Sequence, residues 1–314
     1  MEIIEVKPKE YNLVFNNPYH FYASSEFNYL NEDKCEKVFY LFFKDKKIRL
    51  GIIVGLKNNS FFSPFSAPFG GFTYITNDVR IQYIEQAIEL LYIWAKEKRI
   101  ESINITLPPA IYNESFISKQ INCLFRKKYE ITKIDLNYAY NLINFDINYS
   151  NIIWHNARKN LQIAQNSGLL FQKCESYKEK EIAYNIIVKN RNDKGFPLRM
   201  NWEQIQDTIK IIPSDFFIIY ENLQIPIASA IAFNINKKIV QVIYWGDLFD
   251  FAGLKTMNFL SFKLFEYYKS IGKEIVDIGP STENSFPNYG LCEFKESIGC
   301  QINEKTTFVK IIST

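Results

Sequence analysis

The chain is poor in the residues that most often bind metals or form histidine-based catalytic sites. It contains two histidines, His20 and His155, and five cysteines in 314 residues. The cysteines are odd in number and widely spaced, form no Cys-x-x-Cys pair and sit near neither histidine. A zinc site is therefore not expected, and reduced thiols in the cytoplasm are the simplest interpretation. The scarcity of histidine also argues against a His-based triad, although it leaves room for a lone general base.

Long apolar runs and a strong net charge are missing as well. The nearest approach to a membrane span, residues 216–235, is interrupted by Glu221, Asn222, Gln224 and Pro226, so no span is expected. The N-terminus has acidic residues early and no apolar core of the signal-peptide type. A formal net charge of +3 is too small to indicate nucleic-acid binding by itself. These absences predict a cytoplasmic protein without a membrane span.

What remains is an ordinary globular composition with an excess of aromatic side chains. The chain is 47% apolar and 23% charged, and it carries 27 Phe and 20 Tyr. Its length is large for a single core and suits two domains. We expect most of the aromatic residues to pack in the cores of these domains.

The order of predicted elements occurs twice. In the first half the elements are a strand–turn–strand at 38–56, a third apolar run FFSPF at 61–65, a helix at 79–99 and a strand ESINITLPP at 101–109. In the second half they are two strands at 215–233, a strand IVQVIYWG at 239–246, a helix at 254–270 and a strand KEIVDIGP at 273–280. We therefore predict an α+β protein of two tandem ββ(β)αβ domains, 1–148 and 149–314. Each would have a mixed, mostly antiparallel sheet flanked by helices.

This element order is that of the GNAT N-acetyltransferase fold, in which acyl donors lie where a strand meets a helix N-terminus. Three stretches of the second half resemble the FemAB/FemX family, whose members have two fused GNAT-like domains. These stretches are WHNARKNLQIAQNSGL (154–169), GKEIVDIGPSTENS (272–285) and YGLCEFKESIGC (289–300). The first half resembles the family in architecture only, so we expect it to be a degenerate copy and the second half to be the transferase copy.

The resemblance implies transfer of an acyl or aminoacyl group to an amine of a cell-envelope precursor. The acceptor would be a peptidoglycan stem peptide or a carrier-linked amino sugar, and the donor an aminoacyl-tRNA or an acyl-CoA, without a metal. The amine would attack the ester or thioester directly. Two alternatives stay open: a CoA-dependent N-acyltransferase of a nucleotide-linked amino sugar, and a catalytically silent module that binds a glycan or a partner.

The donor site is expected at the strand around Trp245 and the turn that follows it, because this fold opens there. Asp247 is a candidate base for the attacking amine. Packing of the aromatic residues in the core and a turn role for Asp247 are the structural alternatives. The predicted donor-binding residues are Tyr244, Trp245, Gly253, Lys255 and Thr256.

Lys295 is the strongest catalytic candidate, since it matches the Phe-Lys motif of the resembled family. The resemblance implies that its ammonium stabilises donor phosphate or the charge that develops during transfer. Tyr289 is a candidate general acid. The structural alternative for Lys295 is a surface lysine on a short helix.

Candidate acceptor contacts are of two kinds. Arg158 and Lys159 lie on the polar face of a predicted amphipathic helix, and Arg191 and Arg199 lie in a basic segment, 189–205; either pair could bind phosphate. A solvated helix face and an exposed linker are the structural alternatives. The phrase SPFSAPFGGF (63–72) contributes Phe69, Gly70 and Gly71, and it is either an aromatic wall of the acceptor site or a packing corner.

Overall fold

The structure, a computed structural model, describes residues 1–146, 148–222 and 224–312. The chain forms two compact units. The first contains Met1–Leu136, Thr282–Phe286 and Asn303–Thr314, and the second contains Asn137–Ser281 and Pro287–Ile302. Each unit is an α+β structure built on a mixed, mostly antiparallel sheet, which confirms the predicted fold class.

The elements from the N-terminus to the end of the first copy are β1 (Glu2–Val6), α1 (Pro8–Val14), α2 (Ser25–Leu30), β2 (Lys37–Lys44), β3 (Ile48–Lys57), β4 (Ser60–Ser63), β5 (Thr73–Tyr74), α3 (Ile81–Glu97), β6 (Ser102–Thr106), α4 (Glu114–Arg126) and β7 (Glu130–Asn141). Short 3-10 helices lie at Phe21–Ala23, Glu32–Lys34 and Ala110–Tyr112.

The second copy consists of α5 (Tyr149–Ile152), α6 (His155–Gln165), β8 (Leu170–Lys173), α7 (Tyr177–Asp193), α8 (Trp202–Ile211), β9 (Ser214–Glu221), β10 (Ile225–Asn234), β11 (Ile239–Asp247), α9 (Thr256–Ser270), β12 (Ile275–Pro280), β13 (Thr282–Glu283), β14 (Phe286–Pro287), α10 (Tyr289–Ser297) and β15 (Gln301–Ile311). Short 3-10 helices lie at Leu142–Asn144 and Phe249–Leu254.

The strand pairing repeats as the sequence predicts. In the first unit β2 pairs with β3 and β3 with β4 in antiparallel fashion, whereas β4 pairs with β6 in parallel. In the second unit β9, β10 and β11 form the same antiparallel series, and β11 pairs with β12 in parallel. A helix, α3 or α9, provides the crossover between the two parallel strands in each copy. Both copies therefore have the order ββ(β)αβ.

The limits of the compact units differ from a single division between residues 148 and 149. The end of β7, Asn137–Asn141, pairs with β12 in the second unit. The end of β15, Thr307–Ile311, pairs with β6 in the first unit. The closing strand of each copy thus supplies residues to the other unit, a pairing that local sequence patterns do not reveal.

Strand β2 shows why its sequence is an uninterrupted apolar run. Successive side chains of a strand point to opposite faces of the sheet. Phe39, Leu41 and Phe43 belong to the core that also contains the buried face of α3. Tyr40 and Phe42 belong to a second cluster, with Tyr11 and Phe15 around α1. Both faces of this strand are covered, so an alternating polar pattern does not arise.

In the second unit, helices α7 and α9 both pack on strand β10. Ser229 donates a 2.7 Å hydrogen bond to the carbonyl of Ala183 on α7. Ala230 is opposite Phe217 on β9, and the Phe217 ring makes an edge contact with Tyr268 of α9. Small side chains along the strand leave room for these aromatic residues. Among the helices of the described residues, none is long and apolar enough to cross a membrane.

Candidate functional site

The parallel strands of the second unit separate after three paired positions. Their ladder runs from Ile239↔Ile275 to Gln241↔Asp277. Beyond it, β11 has an extra residue relative to β10, at Ile243, and β12 has an extra residue relative to β7 between Asp277 and Pro280. Such bulges bend strands and are common beside active sites. We call the gap bounded by Val242–Asp247 and Ile278–Pro280 the fork.

A buried polar cluster lies at the base of the fork. Asp277 is fully buried, and its carboxylate accepts hydrogen bonds from Gln241 Nε2 at 2.7 Å and from Asn137 Nδ2 at 2.8 Å. The backbone N–H of Gly279 donates to the same carboxylate at 2.8 Å. Buried charge is tolerated in proteins when it is hydrogen-bonded in this way. The Asp-x-Gly motif therefore fixes the point at which the two strands part.

Lys295 lies against the end of β12 rather than at the surface or against open space. It is 1% exposed, and its Nζ donates to the carbonyls of Ile278 and Gly279 at 2.9 Å and of Pro280 at 3.1 Å. Burial lowers its pKa to about 8, against the favourable field of nearby Cys300 and Asp277. An ammonium has three donors, and all three are used. In this structure the ammonium holds the carbonyl end of β12, and stabilisation of donor phosphate or of developing charge by Lys295 stays a prediction.

Asp247 stands at the end of the fork strand β11 and is half-buried. Its carboxylate Oδ2 accepts a 2.8 Å hydrogen bond from the Thr256 hydroxyl, and its backbone carbonyl accepts a 2.6 Å hydrogen bond from Asn190 Nδ2. Two predicted residues, Asp247 and Thr256, are thus brought together. The fully buried Thr256 hydroxyl is bonded to Asp247, and presentation of the Thr256 backbone N–H to a donor phosphate stays a prediction.

Aromatic and cationic side chains border the fork. The Trp245 ring lies 6.0 Å from the ring of Phe294, the neighbour of Lys295 on α10. Tyr244 is buried, and the backbone of Met200 lies beside its hydroxyl. Arg191 is half-buried near Tyr244, and burial lowers its pKa. In the described ranges its Nε has no hydrogen-bond partner.

The other predicted donor and catalytic residues lie at the N-terminal ends of two helices, α9 and α10. Gly253 is exposed in the 3-10 helix that precedes α9, with no atom within 4 Å of the position of an added Cβ. Lys255 immediately precedes α9, is half-buried and has a left-handed φ of 57°. Tyr289 is the first residue of α10 and is 80% exposed. The structure therefore leaves the backbone of Gly253 and the side chains of Lys255 and Tyr289 accessible.

The remaining basic candidates are exposed. Arg158 and Lys159 lie on α6, opposite its buried residues Ala157, Leu161 and Ala164. Arg158 donates a long hydrogen bond, 3.4 Å, to the carbonyl of Asn151. Arg199 is exposed in the segment before α8. The chain is helical in two parts here, α5 and α6, with Trp154 preceding the second part.

The phrase SPFSAPFGGF forms a packed corner of the first unit. Phe69 is fully buried against the rings of Tyr22 and Tyr112. The N–H of Gly70 donates to the carbonyl of Thr106 at 2.8 Å, and that of Gly71 donates to Ser63 Oγ at 3.0 Å. Of the two alternatives given for Phe69, Gly70 and Gly71, these contacts favour the packing corner over the wall of an acceptor site.

Glycine is required at position 70 by close packing. An added Cβ would lie 2.7 Å from the nitrogen of Pro64 and 2.8 Å from the carbonyl carbon of Ser63. Both are backbone atoms, which cannot turn aside as a flexible side chain does. The hydrogen bond from Gly70 to Thr106 also extends the contact of this segment with β6 beyond the last β4–β6 pair, Ser63↔Ile105. The first unit has a closed corner where the second has the fork.

Sequence reasoning missed Gln241, Asn137 and Asn190. Each is a polar residue at a buried position of a strand or helix. Asn190 continues the buried stripe of α7 that contains Ala183, Ile186 and Ile187, and a polar residue in such a stripe was the available signal. In the described parts of the chain, no group of three or more His, Cys, Asp or Glu side chains could hold a metal ion.

Comparison with solved structures identifies the fold. The chain superposes on FemX with a TM-score of 0.71 at 10% identity, covering 99% of this chain and 97% of that chain. It superposes on L-PGS from Bacillus licheniformis with a TM-score of 0.64 at 13% identity, covering 99% and 94%. A tandem GNAT protein from the clavulanic acid biosynthesis pathway gives a TM-score of 0.51 at 7% identity, covering 88% and 83%.

The chain has the FemX-like tandem GNAT fold. The resemblance predicted from the three sequence stretches is confirmed at the level of fold. No family model matches the sequence, and no curated protein matches it either.

Proposed function

We propose that this protein transfers an acyl or aminoacyl group to an amine of a cell-envelope precursor, with the donor bound in the fork of the second unit. The observation that carries the proposal is the early end of the β11–β12 ladder, with a bulge in each strand. Separation of paired strands frees backbone N–H and C=O groups that otherwise bond to each other. Such groups can bind the polar arm of an acyl donor.

The wall of the fork supplies the donor contacts. Trp245 and Tyr244 come from the separated part of β11, and Trp245 is packed in place by Phe294. Gly253 and Lys255 come from the turn before α9, where the helix N-terminus favours negative charge. In this proposal they meet the ester or thioester end of the donor and its nearest phosphate. The Thr256 side chain is assigned to Asp247 instead.

The acceptor is assigned to four basic side chains of the second unit. Arg191 has the most specific environment, because its guanidinium is half-buried beside Tyr244 and its Nε lacks a partner in the part of the chain that the structure describes. A planar guanidinium binds two oxygens of a phosphate, as in a nucleotide-linked or lipid-linked precursor. Arg158, Lys159 and Arg199 are exposed candidates for the same carrier.

The reaction needs no covalent enzyme intermediate. The acceptor ammonium loses a proton, its nitrogen attacks the donor carbonyl, and a C–N bond forms as the C–O or C–S bond of the donor breaks. Tyr289, exposed at the start of α10, is the candidate acid that protonates the leaving oxygen or sulfur. Donor and acceptor are bound together, in the cytoplasm where charged tRNA, CoA thioesters and nucleotide-linked precursors are present.

The first unit has a different role in this proposal. Its β4–β6 pairing is continued by the buried SPFSAPFGGF corner, so the position equivalent to the fork is filled by protein atoms. We assign the first copy to structural support and the second copy to chemistry.

The experiment combines two donors, alanyl-tRNA and acetyl-CoA, with two acceptors, UDP-muramoyl-pentapeptide containing lysine and UDP-glucosamine. Products are detected by the mass added to the acceptor. Addition of alanine to the pentapeptide supports FemX-type transfer. Acetylation of UDP-glucosamine supports the CoA-dependent alternative. Absence of product in all four mixtures, together with absence of donor binding by native mass spectrometry, would leave the silent binding module as the function.

A further inference from the structure

Asp247 is held at two points by two different helices. Asn190 of α7 donates its side-chain N–H to the Asp247 carbonyl at 2.6 Å. Thr256 of α9 donates its hydroxyl to Asp247 Oδ2 at 2.8 Å. Both donors are buried, so water does not compete for either bond. The backbone and the carboxylate of one residue are therefore fixed at the same end of the fork.

The contact with Thr256 does not serve to cap the helix. A capping carboxylate accepts from backbone N–H groups in the first helical turn. Here the residue before α9 is Lys255, whose side chain makes no capping bond, and the bond to Asp247 comes from a side-chain hydroxyl. The bond orients the carboxylate. Its second oxygen, Oδ1, has no hydrogen-bond partner among residues 1–146, 148–222 and 224–312.

The approach of α7 to this strand end depends on Gly246. A Cβ added there would lie 2.5 Å from Cγ and Oδ1 of Asn190. Asn190 itself lies at the end of the buried stripe of α7, where an apolar residue would pack without the desolvation cost of an amide. The glycine and the buried amide thus occur together at the end of β11, where the amide contacts Asp247.

We propose that Thr256 and Asn190 are positioning residues that hold Asp247 so that its free Oδ1 receives the proton of the acceptor ammonium. This inference rests on the proposed function. The proton moves from nitrogen to Oδ1, the nitrogen lone pair forms the new C–N bond, and the electrons of the broken C–O or C–S bond leave with the donor fragment. Tyr289 protonates the leaving group and is reprotonated by the second proton of the nitrogen, and Asp247 returns the first proton to solvent.

The test compares two substitutions of Thr256: valine, which has nearly the same shape but no hydroxyl, and serine, which keeps the hydroxyl. Thr256→Val is expected to lower kcat about tenfold, the effect of losing one positioning hydrogen bond, with KM for the donor within about twofold of the wild type. Thr256→Ser keeps the hydroxyl and is expected to retain the kcat of the wild type. Asp247→Asn is expected to lower kcat at least about a hundredfold, as for loss of a general base. The reaction is whichever of the four donor–acceptor pairs the wild-type protein turns over.

The matched control is Thr208→Val. Thr208 is also a buried threonine of the second unit, but its hydroxyl donates to the carbonyl of Gln204 in its own helix at 2.7 Å. It should leave kcat unchanged, whatever it does to the melting temperature. Asn190→Ala, which removes the hydrogen bond to the Asp247 carbonyl, should lower kcat as Thr256→Val does.

The outcomes separate this inference from the proposed function. A wild-type rate in Thr256→Val, or failure of Thr256→Ser to restore a lost rate, overturns the positioning role. If Thr256→Val does not fold, Asp247→Asn decides, and a normal kcat overturns the assignment of the proton acceptor. A wild-type protein that turns over none of the pairs overturns the proposed function and this inference with it.

Discussion

His20 makes the stability of the first unit dependent on pH. The side chain is fully buried, and its ring is surrounded by other aromatic rings, with the centroid of Tyr19 at 4.5 Å and that of Phe69 at 5.1 Å. Burial lowers its pKa from 6.5 to about 3, and the backbone of Gly70 offsets only part of this change. The folded protein therefore keeps the imidazole neutral at pH values at which the unfolded chain protonates it.

The magnitude follows from the difference in bound protons. Because the folded pKa is depressed, the unfolded state binds more protons below pH 6.5, so the free energy of unfolding falls as pH falls, down to the folded pKa near 3. Between pH 7.5 and pH 5.5 the loss is about 1.4 kcal/mol, because an unfolded imidazole is about nine-tenths protonated at the lower pH. At pH 4.5 the loss reaches about 2.7 kcal/mol.

The assay is urea unfolding at the two pH values, followed by a pulse of hydrogen exchange at one fixed pH. Peptides from β2 and β3 report the unfolding of the first unit. His20→Phe removes the titrating group and keeps a ring among rings, so its free energy of unfolding should fall by about 1.4 kcal/mol less than that of the wild type between the two pH values.

Comparing differences between pH values cancels any change in packing that the substitution causes. The exposed residue His155, on α6, provides the control, and His155→Gln should behave as the wild type does. Equal pH dependence in the wild type and in His20→Phe would refute the reasoning.

Three further substitutions test other parts of the structure by urea unfolding. Lys295→Met should cost about 3 kcal/mol, because three buried carbonyls lose their donor, whereas the exposed Lys269→Met should cost little; equal effects would contradict the buried contact. Gly70→Ala should cost about 2 kcal/mol or more through overlap with backbone atoms, while Gly253→Ala, in open space, should change stability by less than about 0.5 kcal/mol. Arg191→Met should be at least as stable as the wild type, since it removes a half-buried guanidinium whose Nε is unpaired in the described residues, and it should weaken binding of a UDP-linked acceptor; a clear loss of stability would show that the arginine supports the fold.

The sequence predicts the elements of both copies because their signals are local. The apolar run at 38–56 and its polar turn match β2 and β3, and the apolar stripes match α3 and α9 within about two residues at each end. The helix predicted at 79–99 begins two residues later, at Ile81 after Arg80. Helix ends are set by a few local hydrogen bonds, so such errors are small.

The fork could not be predicted from local patterns. It depends on where the ladder between β11 and β12 stops and on bulges at Ile243 and after Asp277, and these require the register of four strands. For the same reason the motif around Lys295 showed which residue was notable but not where its ammonium points. That direction follows from contacts with Ile278–Pro280, on a strand separated from α10 by the short strands β13 and β14.

The aromatic phrase at 63–72 shows the opposite limitation. Its composition is equally suited to a ligand wall and to a packed corner, because phenylalanine and glycine serve both. Burial of Phe69 and the hydrogen bonds of Gly70 and Gly71 distinguish the two. The partners of Phe69 and Gly70, such as Tyr112 and Thr106, lie far away in the sequence.

The assignment of the donor site to the fork is best tested by hydrogen exchange of the wild-type protein with and without an acyl donor, alanyl-tRNA or acetyl-CoA. Donor binding should slow exchange in the separated part of β11 and the turn before α9, residues 242–256, and at the end of β12, residues 277–281. The corner at 63–72 should exchange as before. Protection of that corner with none at the fork, or no protection with either donor, would contradict the assignment of the donor site to the second unit.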